Sequence, residues 1–284
     1  MSHAGCGPLV DERRAERRLY VLGDRAVQRL DHDWIWRHMP HDGSVQFENL
    51  TGAMGVLVVA GPKSRDLMQR VSRDDFSNEA FRWLTGQEVV INMAPCRAMR
   101  VNFVGELGWE LHHPIEYQNH IFDALWSAGQ DLGLKPFGIR AMDSMRLEKS
   151  YRMPGAELSI EYAALESGLH RFVNLNKSDF VGRAGLTEWQ ERGFNNAFVT
   201  VEVHGTTDVD PLGNNPIYQG DKVIGRATSG GFGFRLNKSL ALAMVDPALS
   251  EPGTALQIDI LGQMYDATIV EESPLDPQNE RLRA

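Results

Sequence analysis

From Ala197 onward the sequence changes period, and that change constrains the fold more than any other feature. Ala197-Phe198-Val199-Thr200-Val201-Glu202-Val203 alternates in strand fashion, as do Gln257 to Leu261 and Tyr265 to Val270. A two-residue period is the mark of a half-buried strand. Asp210-Pro211-Leu212-Gly213-Asn214-Asn215-Pro216 is a turn cluster, and Gln219-Gly220-Asp221-Lys222 reads as a hairpin tip. Five or six short strands at this spacing predict a small antiparallel barrel or sandwich. The boundary falls in the loop near Arg192-Gly193-Phe194-Asn195, which gives an α+β region over residues 1–192 and a β-barrel domain over 193–284.

Upstream, strands and helices mix. The apolar run Met54-Gly55-Val56-Leu57-Val58-Val59-Ala60 ends at Gly61-Pro62, and Leu67, Met68 and Val71 then recur at helical spacing. This is a strand-turn-helix unit. Two further strands are expected over 87–93 and 96–104, around a turn at Ala94-Pro95. Residues 116–132 form an amphipathic pattern, with Tyr117, Ile121, Ala124, Leu125, Ala128 and Leu132 on one face and Gly133 to close it. Two more helices are expected at 138–150 and 182–192, the latter stopped by Gly193.

Composition narrows the function classes. With 284 residues, 42% hydrophobic and 24% charged, the chain can bury a sizeable core without staples. Its formal charge of −9, from 29 Lys and Arg against 38 Asp and Glu, argues against a general nucleic-acid binder but leaves room for a small anionic ligand. Cys6 and Cys96 make neither a disulfide framework nor a metal pattern, so a reduced, cytoplasmic setting is expected. No apolar signal core opens the chain and no 18-residue apolar run occurs, so neither secretion nor a membrane span is expected.

There is no phosphate-binding loop and no nucleophile elbow, and Gly230-Gly231-Phe232-Gly233 lies among strands rather than at a strand-to-helix turn. His112, His113 and His120 suggest a metal, but adjacent histidines on a strand end point to opposite faces. They are read as solvated loop histidines, and no metal site is expected. In Gly105-Glu106-Leu107-Gly108-Trp109-Glu110-Leu111 the glycines permit unusual dihedrals around Glu106, while Trp109 can pack on a ligand ring or in the core. Glu106 and Glu110 would point the same way on a strand. A carboxylate here can accept paired N–H donors from a flat heterocycle, or the segment is a solvated turn. Asp143, Arg146 and Lys149 share a helical stripe, either as a surface ion pair or with Arg146 holding a carboxylate ligand.

Taken together, these segments resemble a known family. Val104-Gly105-Glu106-Leu107-Gly108-Trp109-Glu110-Leu111 resembles the folate-site motif of the glycine-cleavage T-protein (aminomethyltransferase) superfamily, and Ala141 to Lys149 resembles its Arg-Asp-Ser-Leu-Arg-Leu-Glu helix. Leu165-Glu166-Ser167-Gly168-Leu169, Asp179-Phe180-Val181-Gly182-Arg183 and Ile224 to Gly233 resemble further segments in the same order. The combination is most similar to the T-protein-like domains joined to dimethylglycine and sarcosine dehydrogenases.

The resemblance implies an α+β, multidomain ring around a central folate channel, ending in a small antiparallel β-barrel. It implies tetrahydrofolate as cofactor, with Glu106 or Glu110 on the pterin edge and Trp109 and Arg146 in the same binding set. The implied reaction moves an aminomethyl, methylene or methyl unit from an N-methyl amine, such as dimethylglycine or sarcosine, to folate. Its main catalytic effect would be proximity. Implied partners are a flavoprotein dehydrogenase or a second chain, including a homo-oligomer.

The chain departs from the family pattern at its start, where the first domain is expected to be shortened. Gly7-Pro8-Leu9-Val10-Asp11-Glu12 echoes the family's Gly-Gly-Ile-x-Asp, which makes Asp11 the candidate catalytic carboxylate. Ser150 stands where the family usually has Gly. The rival expectation is a non-catalytic folate-binding or partner-binding module that has lost the N-terminal catalytic segment.

Overall fold

The computed structural model describes residues 19–24, 27–206 and 208–284. The chain gathers into two compact units. One takes His32–Ile139 with residues 19–21 and Gln278–Ala284, and the other takes Leu22–Asp31 and Arg140–Pro277.

The first unit is built on a four-stranded antiparallel sheet. It comprises β1 (Met54–Ala60), β2 (Gly86–Ile91), β3 (Ala94–Met99) and β4 (Gly108–Pro114), in the order β1-β4-β3-β2. Helices α2 (Ser64–Val71) and α3 (Gln118–Gly129) cover one face. Leu67, Met68, Ile121 and Leu125 pack there on Val59, Val89, Ile91, Ala98, Trp109 and Leu111. Helix α1 (Gln28–His38) precedes the sheet and buries none of its residues.

The β2–β3 turn falls two residues earlier than the sequence suggests. Asn92 and Met93 make it, with φ of 44° and 73°, and Pro95 lies inside β3. Asn tolerates the left-handed region, whereas Met rarely marks a turn. Proline is accepted because β4 pairs only with Arg97–Met99, leaving Pro95 beyond that ladder. The amphipathic segment 116–132 is also shorter as a helix. It opens as a 3₁₀ turn at Ile115–Tyr117 and ends at Gly129, where the Leu134 side chain crosses the last turn.

The second unit holds α4 (Ile139–Leu147), α5 (Arg183–Arg192) and a closed six-stranded barrel. The barrel strands are β5 (Ala197–Val203), β6 (Pro216–Gln219), β7 (Lys222–Gly233), β8 (Lys238–Val245), β9 (Ala255–Ile260) and β10 (Gln263–Val270). They close in the order β10-β5-β8-β7-β6-β9, every pair antiparallel. Alternating residues such as Val199, Val201, Ile217, Ala241, Ala243, Ile258 and Ile269 fill it. The glycines of β7 serve this packing. A Cβ on Gly230 would run into Pro211, and one on Gly225 into the β8 backbone. A short helix, α6 (Glu280–Arg283), ends the chain in the first unit.

Candidate functional site

The bend before β4 is fixed by its own polar groups. Asn102 Oδ1 accepts the N–H groups of Val104 and Gly105 at 3.0 and 3.1 Å, and its Nδ2 donates to the Glu106 carbonyl at 2.6 Å. Gly105 sits at φ 72°, a conformation that favours glycine. Gly61 N–H and the Ser64 hydroxyl both donate to the Leu107 carbonyl, at 2.8 and 3.0 Å. Gly108 then meets β1 so closely that a Cβ there would lie 2.9 Å from Ala60 Cα.

This bend separates the two glutamates that the sequence would set on one strand face. Glu106 stays in the bend and accepts a 2.9 Å hydrogen bond from Arg281 Nη1. Glu110 lies within β4, on the sheet face away from the helices, where its side chain keeps 22% of its surface exposed. Trp109 points the other way, into the core. Its ring edge meets Phe76 at a centroid distance of 5.3 Å and Phe81 at 6.1 Å. Of the two roles open to Trp109 in the sequence, core packing is the one its ring occupies.

The histidines of β4 differ from the solvated loop residues expected. Both are buried on the strand, and they do face opposite ways. His113 Nε2 bonds Gln118 Oε1 at 2.9 Å on the helix side. His112 shares the Glu110 face, with Nε2 3.3 Å from Glu110 Oε2 and Nδ1 3.2 Å from the Tyr20 hydroxyl. The Arg97 guanidinium covers the Tyr20 ring at 4.6 Å and is itself paired with Glu88 at 2.6 Å. Burial holds the Tyr20 phenol above its ordinary pKa, against the pull of Arg97. His120 is exposed, and its Nε2 lies 2.5 Å from the Asn92 carbonyl oxygen. Among the described residues no group of three or more His, Cys, Asp or Glu could hold a metal ion.

A second polar cluster lies in the barrel unit, at the end of α4. Helix α4 stops at Leu147, so Lys149 is not on its stripe. The Asp143–Arg146 pair forms at 2.6 Å, but Arg146 is a buried residue and not a surface one. Its Nη1 donates to the Tyr151 carbonyl at 3.1 Å and to Glu157 Oε2 at 3.2 Å. Glu157 is fully buried and also accepts the Met153 N–H at 2.8 Å. Its Oε1 receives the hydroxyls of Thr228, at 2.5 Å, and of Ser229. Neighbouring strand residues normally point apart, but a register shift in β7 between Ala227 and Ser229 brings both to one carboxylate.

The same segment continues this pattern. Glu148 accepts the N–H groups of Arg235 and Leu236 at 2.7 and 3.2 Å, and Lys149 Nζ donates to the carbonyls of Leu275 and Asp276 at 3.0 and 2.7 Å. Glu157 and Glu166 escaped the sequence reading as buried acceptors. Glu166 takes the N–H groups of Ala163, Asn195 and Asn196 at 2.9, 3.0 and 3.0 Å. A single acid flanked by apolar and small residues, as in Leu165-Glu166-Ser167-Gly168, was the available signal.

The family described as the GCVT N-terminal domain matches residues 9–177, and the glycine cleavage T-protein C-terminal barrel domain matches residues 196–276. The chain belongs to the glycine-cleavage T-protein family. Among the T-protein relatives, dimethylglycine dehydrogenase of Homo sapiens mitochondria is 39% identical over 259 residues, which is 89% of this chain and 30% of the relative. Sarcosine dehydrogenase of Mus musculus mitochondria is 35% identical over 242 residues, covering 81% and 26% of the two chains. An aminomethyltransferase of Moorella thermoacetica is 30% identical over 247 residues, covering 85% and 65%. The crystal structure of aminomethyltransferase T from Bartonella henselae superposes with a TM-score of 0.70 at 20% identity, over 79% of this chain and 60% of that one. The chain thus spans about 30% of the length of the dimethylglycine dehydrogenases it matches.

Two of the T-protein-like segments have a clear structural reason. The Glu-Leu-Gly-Trp-Glu run supplies the bend and β4, and Arg-Leu-Glu-Lys supplies three side chains that tie α4 into its unit. Ser150, where T-proteins usually have Gly, sits at φ 55°. Its hydroxyl is 2.7 Å from Thr200 Oγ1 and accepts the Ser273 N–H at 2.9 Å, which offsets the backbone cost of a side chain there. Asp11, the candidate catalytic carboxylate, lies outside the described residues.

Proposed function

We propose that the chain binds a reduced folate with Glu110 on the pterin edge and serves one-carbon transfer to it from an N-methyl amine-type donor. Membership of the T-protein family supports the reaction class. The observation that carries the site is the different commitment of the carboxylates. Glu157, Glu148 and Glu166 are saturated by internal donors, and Glu106 is paired with Arg281. Among the described residues Glu110 has one hydrogen-bond neighbour, His112, at the outer limit of hydrogen bonding, and it keeps open surface.

A carboxylate with free lone pairs fits the ligand, because two parallel N–H donors on a flat amidine-like edge match two oxygens. Bound tetrahydrofolate would supply the ring nitrogen that accepts the one-carbon unit. The chain's residues orient it. Trp109 anchors β4 from the core side, the Asn102 bend sets the start of the strand, and Arg146 holds α4 through Asp143 and Glu157. The family resemblance assigns Asp11 the role of catalytic carboxylate. Proximity supplies the rate enhancement. Dimethylglycine or sarcosine is the proposed donor class, and its oxidation is assigned to a flavoprotein dehydrogenase on the same or another chain.

Calorimetric titration of the whole chain with folinic acid tests the binding half of this reading, and saturable binding is expected. Formation of 5,10-methylenetetrahydrofolate from tetrahydrofolate and dimethylglycine, with an added flavoprotein dehydrogenase to oxidise the amine, tests the other half, where Asp11→Asn should abolish transfer and leave folinic acid binding in place. Binding with no turnover in either protein would favour the non-catalytic module.

A further inference from the structure

Carboxylates are acceptors only, so the contact between Glu110 Oε2 and His112 Nε2 at 3.3 Å places the imidazole proton on Nε2. Nδ1 is then a lone pair, and the Tyr20 hydroxyl 3.2 Å away must donate to it. Burial suits Tyr20 to this part, since a phenol with a raised pKa stays protonated as a donor. The imidazole ring is edge-on to Tyr20, with centroids 5.6 Å apart and an angle of 85° between planes. With 3% of its side chain exposed, His112 has little freedom to turn away.

Resting on the reading that Glu110 meets the pterin edge, we propose that His112 is the positioning residue for Glu110 and that Tyr20 fixes its tautomer. His112 occupies one lone pair of Oε2 and leaves the others, including both on Oε1, for ligand N–H groups. The described neighbours on this face leave the His112–Glu110 pair in place. Arg97 from β3 is spent on Glu88 of β2 and on the Tyr20 ring, and β1 presents Val56 opposite His112.

The test is folinic acid titration of the full chain, with thermal melts to establish folding. Tyr20→Phe should weaken binding about threefold to tenfold, in line with one lost hydrogen bond, and His112→Leu by more. His112→Gln keeps an N–H toward Glu110, so it should restore most of the affinity lost in His112→Leu. Glu110→Gln separates the two layers of the proposal. If it binds like the parent, the pterin-edge reading fails and the positioning role falls with it. If Glu110→Gln loses affinity while Tyr20→Phe and His112→Leu do not, or if His112→Gln binds no better than His112→Leu, the positioning role alone is overturned.

Discussion

The sheet unit and the barrel unit each hold a glutamate facing a basic residue, and they use it in opposite ways. Glu157 is wholly enclosed, and its two oxygens take four donors from Arg146, Met153, Thr228 and Ser229. Glu110 stands on a sheet face with a fifth of its side chain open and, among the described residues, one weak partner. A carboxylate removed from water must find internal donors, and once saturated it is part of the frame. A carboxylate left short of donors on an accessible face is available to a ligand. The family-like segments contain both kinds, as Glu148 and Glu110 show, and the hydrogen-bond inventory tells them apart.

Making the same substitution at both glutamates is the strongest way to break this contrast. Glu157→Gln should destabilise the chain by about 1–3 kcal/mol, because an amide nitrogen cannot accept from the donors that meet that carboxylate oxygen and Arg146 is left with Asp143 as its carboxylate partner. Urea denaturation reads this directly. Glu110→Gln should cost less than about 1 kcal/mol in the same assay, as expected of a partly exposed group with one long contact. Equal losses would mean that Glu110 is structural too.

Smaller effects sharpen the picture. Gly108→Ala should destabilise by about 1–3 kcal/mol, since the added methyl meets the β1 backbone and neither strand can give way freely. Thermal melts check this, and a neutral outcome would show that the bend before β4 is not closely fixed. At Ser150 the expected result is a difference. Alanine should be less stable than glycine by about 1 kcal/mol, because both lose the hydroxyl but only alanine carries a Cβ at φ 55°. Identical stabilities would remove backbone strain as the reason for glycine in relatives.

The least perturbing check concerns Cys96, on the core face of the same sheet. Burial raises its thiol pKa to about 12. The folded chain thus keeps this proton where the unfolded chain loses it, so its contribution to stability is full below the unfolded value and declines as pH rises toward 12. Alkylation of Cys96 by iodoacetamide at neutral pH, read by peptide mass mapping to separate it from Cys6, should be negligible until urea unfolds the sheet. Reaction in the folded state would show that the core face is open.

Periodicity carried the fold a long way. The barrel was legible because its strands alternate cleanly between turn residues, and β1–α2 because an apolar run ends at Gly-Pro. The β2–β3 turn was not, since Met93 adopts a left-handed conformation that its residue type does not advertise. Within the candidate site, the composition of 105–111 offered two glutamates without telling which of them keeps open surface. That depends on Arg281, 175 positions away in sequence from Glu106, and on Tyr20, 92 positions from His112. Arg146 was read from helix spacing as a surface or ligand-binding group. Its burial follows from Glu157 and a register shift in β7, neither of which leaves a local pattern.

The account stands most directly on one titration of folinic acid into the parent chain and Glu110→Gln under identical conditions, with melting temperature as the control for folding. The expected result is saturable binding by the parent and at least a tenfold loss in Glu110→Gln, with little change in melting temperature. Equal affinity in the two proteins, or no binding by the folded parent, would contradict it.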